Sequence, residues 1–124
     1  MLVEMTRSAA VNLVLASILM AARAFGHHGW SDYTEDDFTL TGVVEEVTLG
    51  GAYGELKLRA PGGIWEVVLG PPFRNQRAGI TAGVIAIGDT VTAHGHRHVD
   101  PGLLEIKTQR LELGEEVFEI YPNR

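Results

Sequence analysis

Five runs of alternating or β-branched residues, split three and two by a stretch that opens on a proline pair, set the strongest limit on how this chain can fold. Residues 39–49, 53–59 and 64–69 precede the break, and residues 90–98 and 103–113 follow it. Alternation with period two marks strands that bury one face. Gly50-Gly51, Pro61-Gly62-Gly63 and Asp100-Pro101-Gly102 separate the runs as turns, because glycine supplies positive φ and proline presets a corner. The break, residues 71–87, places Pro71-Pro72 at a helix start and follows it with the helix-tolerant Arg74, Gln76, Arg77 and Ala78, which predicts one short helix. Residues 117–121 read as a terminal strand and residues 27–38 as an irregular acidic arm. No internal repeat, linker or low-complexity segment interrupts this order.

Three strands, a helix and two more strands is the order of an OB-type barrel, whose closure removes the edges of a small sheet. The expected fold is therefore all-β, a small OB-like five-stranded barrel over residues 39–124 with one short helix between strands 3 and 4. Within Val43-Val44-Glu45-Glu46-Val47 the inward phase slips by one residue, which predicts a bulge. Gly42, just before it, is expected to relieve crowding where the strand coils.

The first residues follow a different pattern. Arg7 closes a short n-region, residues 8–22 form an uncharged apolar stretch, and small residues follow, in the order of a secretory signal peptide. The stretch is short for a spanning helix, which wants roughly 20 apolar residues. Two cuts satisfy the small-x-small rule, one after Ala24 and one after Gly26, and there is no cysteine for a lipid anchor. A signal peptide over residues 1–26 implies a periplasmic or secreted protein with no membrane span after cleavage.

The chain carries a formal net charge of −6, and removal of Glu4, Arg7 and Arg23 with the leader makes the remainder more acidic still. That charge argues against nucleic acid as a partner. The absence of cysteine suits an oxidising compartment but leaves no disulfide to support a small core, and it removes thiolate metal sites. Catalytic signatures are missing: there is no Gly-x-Ser-x-Gly, no GxGxxG and no Walker loop. Ser31, in the arm, is the one serine beyond the leader. A binding protein is expected rather than an enzyme.

The residues with distinctive chemistry are the histidines. His94, His96 and His98 alternate along the fourth strand and share a face with Thr90 and Thr92, while Val91, Ala93 and Gly95 take the other. The apolar set should face the core and the histidines should face outward. Same-face neighbours stand roughly 6.6 Å apart along a strand, so one ion can take an adjacent pair and needs further ligands from elsewhere. His27 and His28 are candidates, since cleavage after Gly26 would make His27 the first residue, with an α-amine and an imidazole forming a nitrogen chelate suited to copper(II). His28 in second place offers a chelate through the amine and an intervening amide. Zinc and nickel satisfy the same imidazole donors. Asp32, Glu35, Asp36 and Asp37 lie nearby as oxygen donors, without the spacing of a calcium loop. The bland reading of the same residues is a solvated strand face and a processing preference. Trp30, Tyr33 and Phe38 are expected to pin the arm to the barrel, and Trp65 to sit in the core.

His27-His28-Gly29-Trp30, Thr39-Leu40-Thr41-Gly42-Val43-Val44, Trp65-Glu66-Val67, Pro71-Pro72 with Arg77-Ala78-Gly79-Ile80-Thr81, and Gly88-Asp89-Thr90-Val91-Thr92 together resemble an exported bacterial family defined as a domain of unknown function. The resemblance runs over nearly all of residues 27–124 and implies an exported small β domain. Its His-His start favours the cut after Gly26. Members commonly carry Trp-x-Asn-Pro-His at the end of the first strand, where this chain has Leu49-Gly50-Gly51-Ala52-Tyr53, so no role passes to Tyr53. The expected function is an exported metal-binding protein, copper first, using His27, His28, His94, His96 and His98. The alternative is a barrel that holds a small molecule or an envelope protein without metal.

Overall fold

Alternation along the strands sorts their side chains into an inner and an outer face, as the pattern requires. The computed structural model describes residues 29–124. The expected leader, His27 and His28 lie outside the described residues. The chain divides into two units, residues Met1–Asp32 and Tyr33–Arg124, and the barrel belongs to the second. Its elements are β1 (Phe38–Thr48), β2 (Glu55–Ala60), β3 (Gly63–Val68), α1 (Pro72–Ala78), β4 (Thr90–Arg97), β5 (Glu105–Leu113) and β6 (Glu116–Glu119). The strands lie in the order β3-β2-β1-β4-β5-β6. A parallel pairing of Glu66, Val67 and Val68 with Glu105, Ile106 and Lys107 joins β3 to β5 and closes five strands into the expected barrel. β6 extends the sheet from the far side of β5.

Leu40, Val44, Leu56, Leu58, Val67, Val91, Ala93, Ile106 and Leu111 fill the inside. Trp65 is buried as expected, stacked on Phe38 at 5.5 Å between ring centroids. The Arg97 guanidinium lies 4.7 Å from the Trp65 centroid. Helix α1 is short because proline opens it and Gly79, at φ 99°, ends it in the left-handed region. Buried Asn75 locks the helix to the strand before it. Its Oδ1 accepts the Gly70 N–H at 2.9 Å and its Nδ2 donates to the Gly70 carbonyl at 2.7 Å.

The predicted bulge is present: the β1–β2 register shifts between Val44 and Glu46. A Cβ on Gly42 would stand 2.6 Å from the Arg59 carbonyl oxygen, so the close approach of β2 there depends on glycine. A second bulge, not anticipated, lies on β5. His94 pairs with Arg110 while Gly95 pairs with Thr108, which leaves Gln109 as the extra residue. The Gln109 carbonyl accepts the N–H groups of Ile120 and Tyr121 at 2.8 and 3.0 Å. The bulge thereby ties the C-terminal segment to the barrel.

The barrel unit begins earlier than residue 39. Tyr33 forms a β-bridge with His98, and the Thr34 N–H donates to the Arg97 carbonyl at 2.8 Å. Tyr33 is buried, so the arm from that residue onward is packed on the barrel as its aromatic content suggested.

Candidate functional site on the outer barrel face

His94 and His96 point outward from β4 as the alternation requires, while Val91, Ala93 and Gly95 are buried on the inner side. Outward does not mean solvated here. The side chain of His96 is 12% exposed and that of His94 25%, because residues of the arm and of neighbouring strands lie over them. Each strand histidine meets a different set of partners. His94 Nδ1 stands 3.3 Å from Thr39 Oγ1, and its Nε2 lies 3.1 Å from Glu112 Oε1 but off the line of a hydrogen bond. His98 Nδ1 accepts the Asp100 N–H at 3.0 Å, and its ring meets Tyr33 edge-on at 5.5 Å.

His96 is arranged differently. Its Nδ1 lies 3.0 Å from the Asp36 carbonyl oxygen. A carbonyl only accepts, so Nδ1 carries the proton and the lone pair of the neutral ring sits on Nε2. That nitrogen lies 3.9 Å from Asp37 Oδ1. A backbone carbonyl holding one imidazole nitrogen is an orientation found behind metal-bound histidines. Among the described residues, however, no three His, Asp or Glu side chains stand close enough to hold a metal ion. His94, His96 and His98 do not form a site by themselves, and His27 and His28 lie outside the described residues.

The closure of the barrel creates a polar cluster that the linear pattern does not reveal. Across the outer face, the β-bridge register aligns Glu105 with Glu66, Glu66 with Lys57, and Lys57 with Glu46. One step along, His96 is aligned with Lys107, and Lys107 with Val68. Glu105 and Lys107 are 4% and 1% exposed, which is rare for charged residues unless they are paired. The Tyr33 hydroxyl donates to Glu105 Oε2 at 2.6 Å. The Lys107 ammonium sits 4.7 Å from the Tyr53 ring centroid and 5.9 Å from those of Tyr33 and Tyr121, a tyrosine cage that suits a cation removed from water. Burial lowers the pKa of Lys107, Arg124 adds to that, and Glu105 opposes it. Burial also raises the pKa of Tyr121.

Glu66 is the most perturbed carboxyl. Burial first, then the charges of Glu55 and Glu105, raise its pKa from 4.5 to about 7. A folded pKa above the unfolded one means that the native state holds the proton more tightly. The stability from this group is complete below about pH 4.5 and is lost as the pH rises through about 7. Glu66→Gln should therefore leave stability near pH 4 unchanged and raise it at pH 8. Solvent screening of this partly exposed group holds the gain to about 1–2 kcal/mol. Urea denaturation of both proteins at the two pH values measures it, and equal midpoints at pH 8 would contradict the clash of carboxylates.

Beside Glu66 runs a groove of about 370 Å³, lined by Lys57, Ile64, Glu66, Gly102, Leu103 and Leu104. It lies between the β2–β3 face and the β4–β5 loop, a face that OB barrels present to ligands. None of its residues carries a motif. The one signal in the sequence was the outward phase shared by Glu66 and Lys57, together with apolar Ile64 and Leu103 where alternation or a turn calls for polar residues.

No family model and no curated relative matches the chain. Solved structures do. One chain of the S. pombe Stn1-Ten1 complex aligns with a TM-score of 0.52 at 15% identity, over 64% of this chain and 58% of that one. The ZRD-deleted mutant of TiaS in complex with agmatine aligns with a TM-score of 0.52 at 18% identity, over 68% of this chain and 26% of its own. The fold is OB-like. The chain thus spans 58% of the first of these structures and 26% of the second, and at such identities the likeness is one of fold alone. Among the described residues no helix is long and apolar enough to cross a membrane.

Proposed function

We propose that this chain is an exported metal-binding protein, that copper(II) is its ion, and that His96 is the anchoring ligand on the barrel. The observation that supports this reading is the His96 ring. Its Nδ1 is held by the Asp36 carbonyl, which puts the lone pair on Nε2 beside the Asp37 carboxylate. An imidazole nitrogen and a carboxylate oxygen suit copper(II), zinc or nickel. Two donors make a weak site, so further ligands are required, and His27 and His28 are the candidates offered by the sequence. Export, membership of the resembling family and cleavage after Gly26 belong to the same proposal.

Holding or delivering an ion is favoured over catalysis, since Glu105 is engaged by the Tyr33 hydroxyl and Lys107 by three tyrosine rings. Native mass spectrometry of untagged protein from the cell envelope tests the proposal in one measurement. The expected species begins at His27 and carries one metal ion. A chain that begins at Phe25 would remove the α-amine chelate, and a metal-free chain after mild purification would count against native metal binding.

A further inference from the structure

The groove beside Glu66 is independent of the histidines and has its own chemistry. Ile64 and Leu103 leave half and two fifths of their surface in water, at 50% and 43% exposure, and with Leu104 they form one apolar wall. The other wall is polar. Glu66 faces Lys57 and Glu55 from β2 and Glu105 from β5, with Lys107 two residues beyond Glu105 and paired with Val68. Lys57 is turned to Glu46, whose carboxylate lies 3.7 Å from its ammonium. Lys107 is enclosed by tyrosines, and Glu105 accepts the Tyr33 hydroxyl. Glu66 instead stands register-paired with Glu105 and near Glu55, so the carboxylates repel one another unless one of them holds a proton.

We propose that this groove binds a small alkylammonium ligand, with the ammonium on the Glu66 carboxylate and the alkyl chain against Ile64, Leu103 and Leu104. Charge selects the class. A ligand cation can take the place of the shared proton, satisfying the carboxylates without the repulsion they otherwise exert on one another. Size selects the source. A groove of about 370 Å³ lies at the small end of the range for organic ligands, and its short wall offers far less surface than a stable protein partner covers. Anions and neutral alcohols of the same shape lack the charge, and ammonium itself lacks the chain.

The exchange of a proton for an ammonium makes binding depend on pH. The pKa of Glu66, raised to about 7 by burial and by Glu55 and Glu105, sets the midpoint. The ligand amine stays protonated throughout, so affinity follows the ionised fraction of Glu66 and should rise about thirtyfold between pH 5.5 and pH 8.5.

The test is calorimetric titration of the whole protein with n-hexylammonium, with a chelator present so that metal ligation plays no part. Expected are one site at pH 8.5, binding about thirtyfold weaker at pH 5.5, and release of about half a proton per ligand bound at pH 7, read from buffers of different ionisation enthalpy. Glu66→Gln should abolish the site and its pH dependence, and Leu103→Ser should weaken hexylammonium while leaving methylammonium unchanged. Chemical-shift mapping should place the ligand at Ile64 and Leu103, which keeps the proposal testable even if a variant folds poorly. Hexylammonium binding no tighter than methylammonium, binding unaffected by Glu66→Gln, or tighter binding of hexanoate would each overturn it. Binding of a basic peptide but not of hexylammonium would overturn the small-molecule source.

Discussion

Gly95→Val should cost the barrel about 3 kcal/mol or more, enough to lower the melting temperature by about 10–20 °C. Gly95 stands on the inner face of β4, opposite Thr108, where the register of β5 slips. A Cβ built there meets the Lys107 carbonyl oxygen, with the Thr108 backbone behind it. Both are main-chain atoms of the neighbouring strand, so no rotamer change relieves the contact and the two strands must separate. The separation would open the pairing that holds Lys107 against His96 and would loosen the bulge at Gln109 that ties down Ile120 and Tyr121. Gly50→Ala is the control, since a Cβ there meets nothing within 4 Å and its cost should be within about 0.5 kcal/mol. Thermal and urea denaturation of the two variants measure the contrast. Equal stabilities would show that β4 and β5 are not locked at this point.

Copper(II) titration of the correctly processed protein should show one tight site that His96→Ala weakens by about a hundredfold or more. Removing an imidazole that is already oriented forfeits both the bond and the preorganisation, whereas His98→Ala should matter less because His98 Nδ1 is occupied by the Asp100 N–H. Asp37→Asn, at an exposed carboxylate 3.9 Å from His96 Nε2, should have an intermediate effect. Extending the chain by one residue before His27 asks separately whether the α-amine contributes. Affinity should fall in acid, because a protonated imidazole no longer ligates. Nitrogen hyperfine coupling in the copper spectrum counts the imidazoles directly. Unchanged affinity in both His96→Ala and the extended protein would mean that the two histidine groups share no ion, and the barrel would then be a metal-independent binding module.

Below neutrality Glu66 keeps its proton, which relieves the carboxylate cluster. A drop in pH should therefore stabilise the barrel through Glu66 while weakening the proposed binding of an alkylammonium ligand in the groove.

The strand order, the helix between the third and fourth strands, the bulge near Glu45 and the outward phase of His94 and His96 all follow from local rules. Period-two alternation, a proline pair and a one-residue slip in phase are written along the chain, and each acts within a few residues. Alternation also required Val91, Ala93 and Gly95 to face inward, and the core is built on them. What alternation cannot express is which outward-facing residues remain in water. Closure of β3 onto β5 brings Glu66 beside Glu105, residues far apart in sequence. Tyr33 then covers Glu105, and tyrosines from three separate segments enclose Lys107. The same closure separates the fates of the three strand histidines: identical in spacing, they differ because the arm offers a carbonyl to His96 and a tyrosine ring to His98. The sequence by itself determined the barrel and the face on which its polar chemistry would lie. Only the tertiary structure decided which of those groups are buried, paired and shifted in pKa, because desolvation and charge coupling depend on distances through space that no local pattern records.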